Sequence, residues 1–132
     1  MDYRIITNKL QKECGVTPEN INAVFPDEVY IETGKENFNK ACMILHKELN
    51  SPVMAFFALD ETAQKNSFRL FCAFEGARYD KWFFAVTDIP AGAPEYDSLA
   101  KEIYSANLFE REMKEMFGLS AAGNPDQRRL RL

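Results

Sequence analysis

The chain has no apolar run near the roughly 20 residues that a membrane-crossing helix requires. Its opening residues, Met1-Asp2-Tyr3-Arg4, lack the basic and apolar regions of a secretory leader. The expected location is therefore cytoplasmic, peripheral on the cytoplasmic side of a membrane assembly, with no direct insertion into the bilayer. Cysteine is sparse. Cys14, Cys42 and Cys72 stand too far apart for a Cys-x-x-Cys clip that would hold zinc or an iron–sulfur cluster, and each reads as a small buried thiol in a reducing compartment. His46 is the only histidine, and neither a phosphate-binding loop nor a Gly-x-Gly-x-x-Gly motif follows any strand-like run. No cofactor and no metal is expected. The net charge of −4 does not supply the broad basic surface that phosphate neutralisation needs, which argues against a nucleic-acid partner.

What is present is a core. Hydrophobic residues make up 46% of the 132, including 11 Phe, against 27% charged, so the chain is neither disordered nor membrane-like. That length suits one domain over residues 1–132, with a basic C-terminal tail over 119–132, and buries roughly two-thirds of the surface the unfolded chain exposes.

Ile6, Leu10 and Cys14 repeat at helical spacing from Tyr3, with Gly15 as a stop. Thr17-Pro18-Glu19-Asn20 reads as a cap and a proline at the first helical position, limited to one or two turns by Pro26. Val29–Glu32 reads as a brief strand. Thr33 and Glu36 offer a capping box for a helix whose apolar stripe is Phe38, Ala41, Cys42, Leu45 and Leu49. Val53–Leu59, Phe68–Glu75 and Lys81–Thr87 then read as an antiparallel meander. Phe68, Leu70, Cys72 and Phe74 share one face, and Trp82, Phe84 and Val86 are expected to share it, with Phe71 and Phe83 opposite. A sheet that is apolar on both sides has either two covering layers or a patch left for a partner, and both readings stay open. Ile89–Pro94 reads as a rigid connection, and Asp97 or Ser98 as the cap of a short helix through Leu99 and Ile103. The class is α+β: a two-layer domain with helices on a mainly antiparallel four-stranded sheet, in the order α-β-α-β-β-β-α.

The C-terminal stretch carries the most information. Asn107 and Glu110 have the spacing of a capping box. Good helix formers run from Leu108 to Phe117, with Glu110/Lys114 and Arg111/Glu115 at i,i+4 and an apolar stripe of Phe109, Met113, Met116 and Phe117. Gly118 suits a left-handed stop, with Leu119 folding back as its hydrophobic partner. Asn124-Pro125-Asp126 is a turn signal, and Arg128, Arg129 and Arg131 follow.

The run Ala106-Asn107-Leu108-Phe109-Glu110-Arg111-Glu112-Met113-Lys114-Glu115-Met116-Phe117-Gly118-Leu119, followed by Gly123-Asn124-Pro125-Asp126-Gln127-Arg128-Arg129-Leu130, resembles the signature of a known family. This is the family of the small hydrophilic "30 kDa" subunit of NADH:quinone oxidoreductase, or complex I, which also occurs in membrane-bound energy-converting hydrogenases. Family members in respiratory complexes carry tryptophan where Leu108 stands, aspartate where Glu115 stands and histidine where Asn124 stands, and they continue past the arginine pair. The stop at Leu132 favours the short form of the Ech-type, group 4 hydrogenases, with the 30 kDa subunit of a respiratory NADH:quinone oxidoreductase as the alternative.

The resemblance implies a non-catalytic, cofactor-free scaffold subunit docked on the large catalytic subunit of such a complex and on neighbouring peripheral-arm subunits. It implies an interface at Asn107, Glu110, Arg111, Glu112, Phe117, Gly118, Pro125, Arg128 and Arg129. Glu110, Arg111 and Glu112 would set the docking geometry, Phe117-Gly118 the sharp exit, and Pro125 with Arg128 and Arg129 the path and anchoring of a tail that is mobile until it docks. Two other classes compete. An enzyme would need a closed pocket at Glu110 or His46, yet Glu110 and Glu112 project about 200° apart on a helix and cannot form a carboxylate pair. RNA binding would rest on Arg128, Arg129 and Arg131 alone, and would weaken steeply with salt.

Overall fold

The N-terminal periodicity is realised as helix α1, Arg4–Cys14, which buries Ile6, Leu10 and Cys14 and ends at Gly15 in the left-handed conformation (φ 65°). The computed structural model describes residues 2–125, apart from the Val24 side chain. Pro18–Asn20 makes a single 3-10 turn, and Asn20 Oδ1 accepts from the Thr17 hydroxyl at 2.8 Å. Strands β1 (Ile21–Phe25) and β2 (Glu28–Glu32) form an antiparallel hairpin. Helix α2 (Lys35–Leu49) follows, then the meander β3 (Ala55–Glu61), β4 (Ser67–Gly76) and β5 (Lys81–Pro90), with the one-turn helix α3 (Thr62–Lys65) joining β3 to β4. Strand β6 (Glu95–Asp97), helix α4 (Asn107–Phe117) and strand β7 (Ser120–Ala122) close the described chain.

The class is α+β, but the main sheet has five strands rather than four. Its order is β1-β2-β5-β4-β3, and a separate two-stranded pair is β6-β7. The meander is antiparallel as read, whereas β2 joins β5 in parallel, so the sheet is mixed. Strand β1 escaped the sequence reading because it is an edge. Asn22, Ala23 and Phe25 are exposed or partly so and show no buried alternation.

Local signals gave way where tertiary partners competed for the same groups. Thr33 does not cap α2. Its N–H donates to the Val86 carbonyl at 2.9 Å and its own carbonyl accepts from the Thr87 hydroxyl at 2.9 Å, which prolongs the parallel pairing and leaves Gly34 as the cap. The expected helix through Leu99 and Ile103 is a run of turns. Strand β5 also faces the other way from the expectation. Cross-strand partners of Phe74, Cys72, Leu70 and Phe68 are Phe83, Ala85, Thr87 and Ile89, which are buried, while Trp82 and Phe84 lie opposite. Three consecutive aromatic residues, Trp82-Phe83-Phe84, carry no alternation to set that phase. Phe83 is chosen because Tyr3 and Tyr79 meet it edge-on, at 5.5 and 6.0 Å between ring centres, and Gly76 leaves room for its ring.

The helices lie on the Phe83 side. There Tyr3 reaches Phe83, Phe38 of α2 reaches Phe56, and Phe117 of α4 reaches Phe68. Among the described residues no helix is long and apolar enough to cross a membrane.

Candidate functional site

The C-terminal motif is assembled by the turn after β6. Ser98 donates its N–H to the Ala122 carbonyl of β7 at 2.9 Å, and its carbonyl accepts from Asn39 Nδ2 of α2 at 2.8 Å. The Ser105 hydroxyl accepts from the Val53 N–H at 2.9 Å, tying the approach to α4 to the start of the meander. A 3-10 turn, Tyr104–Ala106, runs straight into α4, so Asn107 is already helical (φ −56°, ψ −50°). Asn107 therefore does not cap the helix, and the expected box with Glu110 does not form. Among the described residues no side chain caps this end.

Glu110 is instead turned inward and is only 1% exposed. Its Oε1 accepts from the Ser98 hydroxyl at 2.7 Å and from Asn124 Nδ2 at 2.7 Å, and its Oε2 accepts from the Leu99 N–H at 2.8 Å. One carboxylate thus holds together the turn after β6, helix α4 and the residues that lead out of β7. Burial pushes its pKa up from the ordinary glutamate value, while the three hydrogen bonds, which favour the charged form, pull it back in part. Tyr96 lies close by, buried at 2% exposure. Burial, and then the charge of Glu110, push its phenol well up.

The other site residues separate into two groups. Asn107 is buried, and Arg111 and Phe117 are half-buried, with Phe117 packed on Phe68 at 5.6 Å between ring centres. Glu112 is exposed. Gly118 takes the left-handed conformation (φ 72°) and donates its N–H to the Lys114 carbonyl at 2.9 Å, and Leu119 behind it is fully buried. Pro125 is exposed at the end of the described residues, while Arg128 and Arg129, with Arg131, lie outside them. Ser98 and Asn124, the partners of Glu110, were read as local cap and turn residues. Nothing in the sequence joins them to a residue on α4.

On the outer side of α4 the exposed large residues form a stripe: Tyr104 (70% exposed), Leu108 (53%), Glu112 and Met116 (70%) recur every four positions. A helix face that leaves three large apolar side chains in water, with an acid among them, suits contact with another protein. Catalysis has less to work with. Glu110 is sealed from solvent, and His46 Nδ1 donates to the Ser51 carbonyl at 2.7 Å at the end of α2. Among the described residues no group of three or more His, Cys, Asp or Glu is placed to hold a metal ion.

Comparison with known proteins agrees with the motif. A family described as "Respiratory-chain NADH dehydrogenase, 30 Kd subunit" matches residues 31–132. Formate hydrogenlyase subunit 5 of Escherichia coli (strain K12) is 39% identical over 49 residues, which are 37% of this chain. The chain spans only 9% of the length of that relative. Among solved structures, the trypsin-resistant fragment (1–134) of Nqo5 superposes with a TM-score of 0.73 at 18% identity, covering 92% of this chain and 98% of the fragment. A chain of the membrane-bound sulfane sulfur reductase, an archaeal respiratory membrane complex, superposes with a TM-score of 0.77 at 14% identity, covering 92% of this chain and 70% of the other. Those two likenesses concern the fold. The family match takes in most of the chain, and so the protein belongs to the family of the 30 kDa subunit of respiratory-chain NADH dehydrogenase.

Proposed function

We propose that this chain is a non-catalytic, cofactor-free scaffold subunit of a membrane-bound, complex I-like oxidoreductase, and that it docks on the large catalytic subunit through α4 and the basic tail. The observation that carries this reading is the division of labour within the motif. Glu110 is spent inside the protein, where it fixes the direction of the chain beyond β7, while Tyr104, Leu108, Glu112 and Met116 face outward as a contact surface. In this reading Asn107 and Glu110 act indirectly, by setting the shape of the docking element. Glu112, Arg111, Phe117-Gly118, Pro125, Arg128 and Arg129 make or direct the contact. The complex sits on the cytoplasmic side of the membrane.

We favour an energy-converting hydrogenase as the parent complex, on the strength of the stretch shared with a formate hydrogenlyase subunit. The NADH:quinone oxidoreductase reading is favoured instead by the family description and by the likeness to Nqo5. Purification of the tagged chain from its host, with hydrogenase and quinone reductase assays on the product, separates the two. Leu108→Asp and Met116→Asp should each release the large subunit, with the isolated variant still folded by circular dichroism. Recovery of an intact complex with both substitutions present would refute the docking surface.

A further inference from the structure

The main sheet is covered by helices on one side only among the described residues, and the other side has the composition of an interface. Across the strands, Tyr30 of β2 stacks on Phe84 of β5 at 4.6 Å and 7° between planes, and Phe71 of β4 stacks on Phe57 of β3 at 5.2 Å and 13°. Tyr30 also meets Phe71 edge-on at 6.5 Å, so the four rings form one continuous, mutually braced surface. Phe57 is 41% exposed, Leu59 48% and Trp82 37%, a density of apolar groups that water does not explain.

The margins of this face are net negative. Trp82 is flanked in register by Glu28 on β2 and Glu75 on β4. Beside it opens a cleft of about 300 Å³ lined also by Asp27 and Asp80. Among the described residues Lys81 is the only cation lining that cleft, and its ammonium donates to the Pro26 carbonyl at 2.5 Å. At the opposite margin Arg69 pairs with Glu32 and, at 3.0 Å, with Asp88, which leaves that margin negative as well.

We propose that this uncovered sheet face is a second docking surface, and that its occupant is a segment of another protein with an apolar centre and arginine or lysine side chains at its edge. The aromatic rows take the apolar centre, and a basic side chain enters the cleft between Trp82, Glu75 and Asp80, where carboxylates and the indole face both favour a cation. A second copy of this chain is the wrong occupant, because face-to-face pairing would bring acidic margins together. The surface is separate from the α4 stripe, and only the Leu108 control of its test rests on the function proposed above.

Photocrosslinking in the host cell tests it. Benzoylphenylalanine is placed at Leu59 in one strain and at Leu108, on α4, in another, and the adducts are mapped by mass spectrometry. The expected result is a Leu59 adduct to a peptide of a different protein that has Arg or Lys within a few residues of the attachment point. Combining the Leu59 probe with Glu75→Gln and Asp80→Asn should lower that yield at least tenfold, while the same pair of substitutions leaves the Leu108 adduct unchanged and so reports a folded chain. A Leu59 adduct only to a second copy of the chain, to lipid or to a segment without basic residues would overturn the proposal. So would no adduct, or a yield indifferent to the loss of the two carboxylates.

Discussion

Replacement of Glu110 by alanine should be among the most damaging single changes in the molecule. The substitution strands three buried donors: the Ser98 hydroxyl, the Leu99 N–H and the Asn124 amide. A hydrogen bond to a charged group contributes about 1.5–3 kcal/mol, so the gross loss is roughly 6 kcal/mol. Part of it is returned, since burial penalises the carboxylate, as its upward pKa shift shows. Relief of a desolvation penalty of several kcal/mol leaves a net destabilisation of about 3 kcal/mol at neutral pH. In a chain of 132 residues this corresponds to a fall in Tm of roughly 10 °C. Urea unfolding of the isolated wild-type and Glu110→Ala proteins, followed by far-UV circular dichroism, gives the difference directly. The single variant Ser98→Ala should cost less. It should also be sub-additive with Glu110→Ala, by an interaction energy of about 0.5–3 kcal/mol, because the two side chains share one network. A Glu110→Ala protein within about 1 kcal/mol of wild type, or strict additivity with Ser98→Ala, would refute the view that this carboxylate braces three segments.

Two further outcomes can be checked on the isolated protein. Because the folded pKa of Glu110 is raised, its contribution is fully present below the unfolded value near 4.5 and is lost as pH rises through the folded value. The stability of wild type relative to Glu110→Gln should therefore decline as urea titrations move from acidic toward neutral pH, and a rising or flat difference would contradict this. Gly76→Ala should destabilise by about 1–3 kcal/mol, since the added methyl would lie 2.4 Å from Cε1 of the fully buried Phe83 and 2.9 Å from the Lys81 carbonyl. Thermal unfolding would show it, and an unchanged Tm would mean that the ring moves freely.

Local grammar was legible where neighbours in sequence settled the outcome. The stripe Ile6-Leu10-Cys14 with Gly15 placed α1 correctly, and the helix formers from Leu108 with Gly118 placed α4, because periodicity and a left-handed stop are properties of adjacent residues. The reading failed where a distant group won the competition. Thr33 looked like a cap but is held by β5, and Glu110 looked like the second half of a capping box but is held by Ser98, Leu99 and Asn124. The parallel partner of β2 could not be inferred, since nothing in Val29–Glu32 distinguishes a neighbour before the meander from one at its end. At the C-terminal motif the sequence marked the segment that forms α4. It did not show which of its charges face inward, and while it left open an uncovered face of the sheet, it put Trp82 and Phe84 on the covered one.

The parallel pairing of β2 with β5 also dictates an order of assembly. Thr33 meets Thr87, 54 positions later, so the strand that joins the two halves of the sheet leaves the ribosome long after α1, the β1–β2 hairpin and α2. Those N-terminal elements pack partly on one another but cannot complete their burial until β5 arrives. The β3-β4-β5 meander closes through short loops and has the lower entropic cost. Until β5, Lys81–Pro90, is made, the nascent chain carries an aromatic-rich, incomplete sheet, a stage at which a chaperone or an early-binding partner has most to offer.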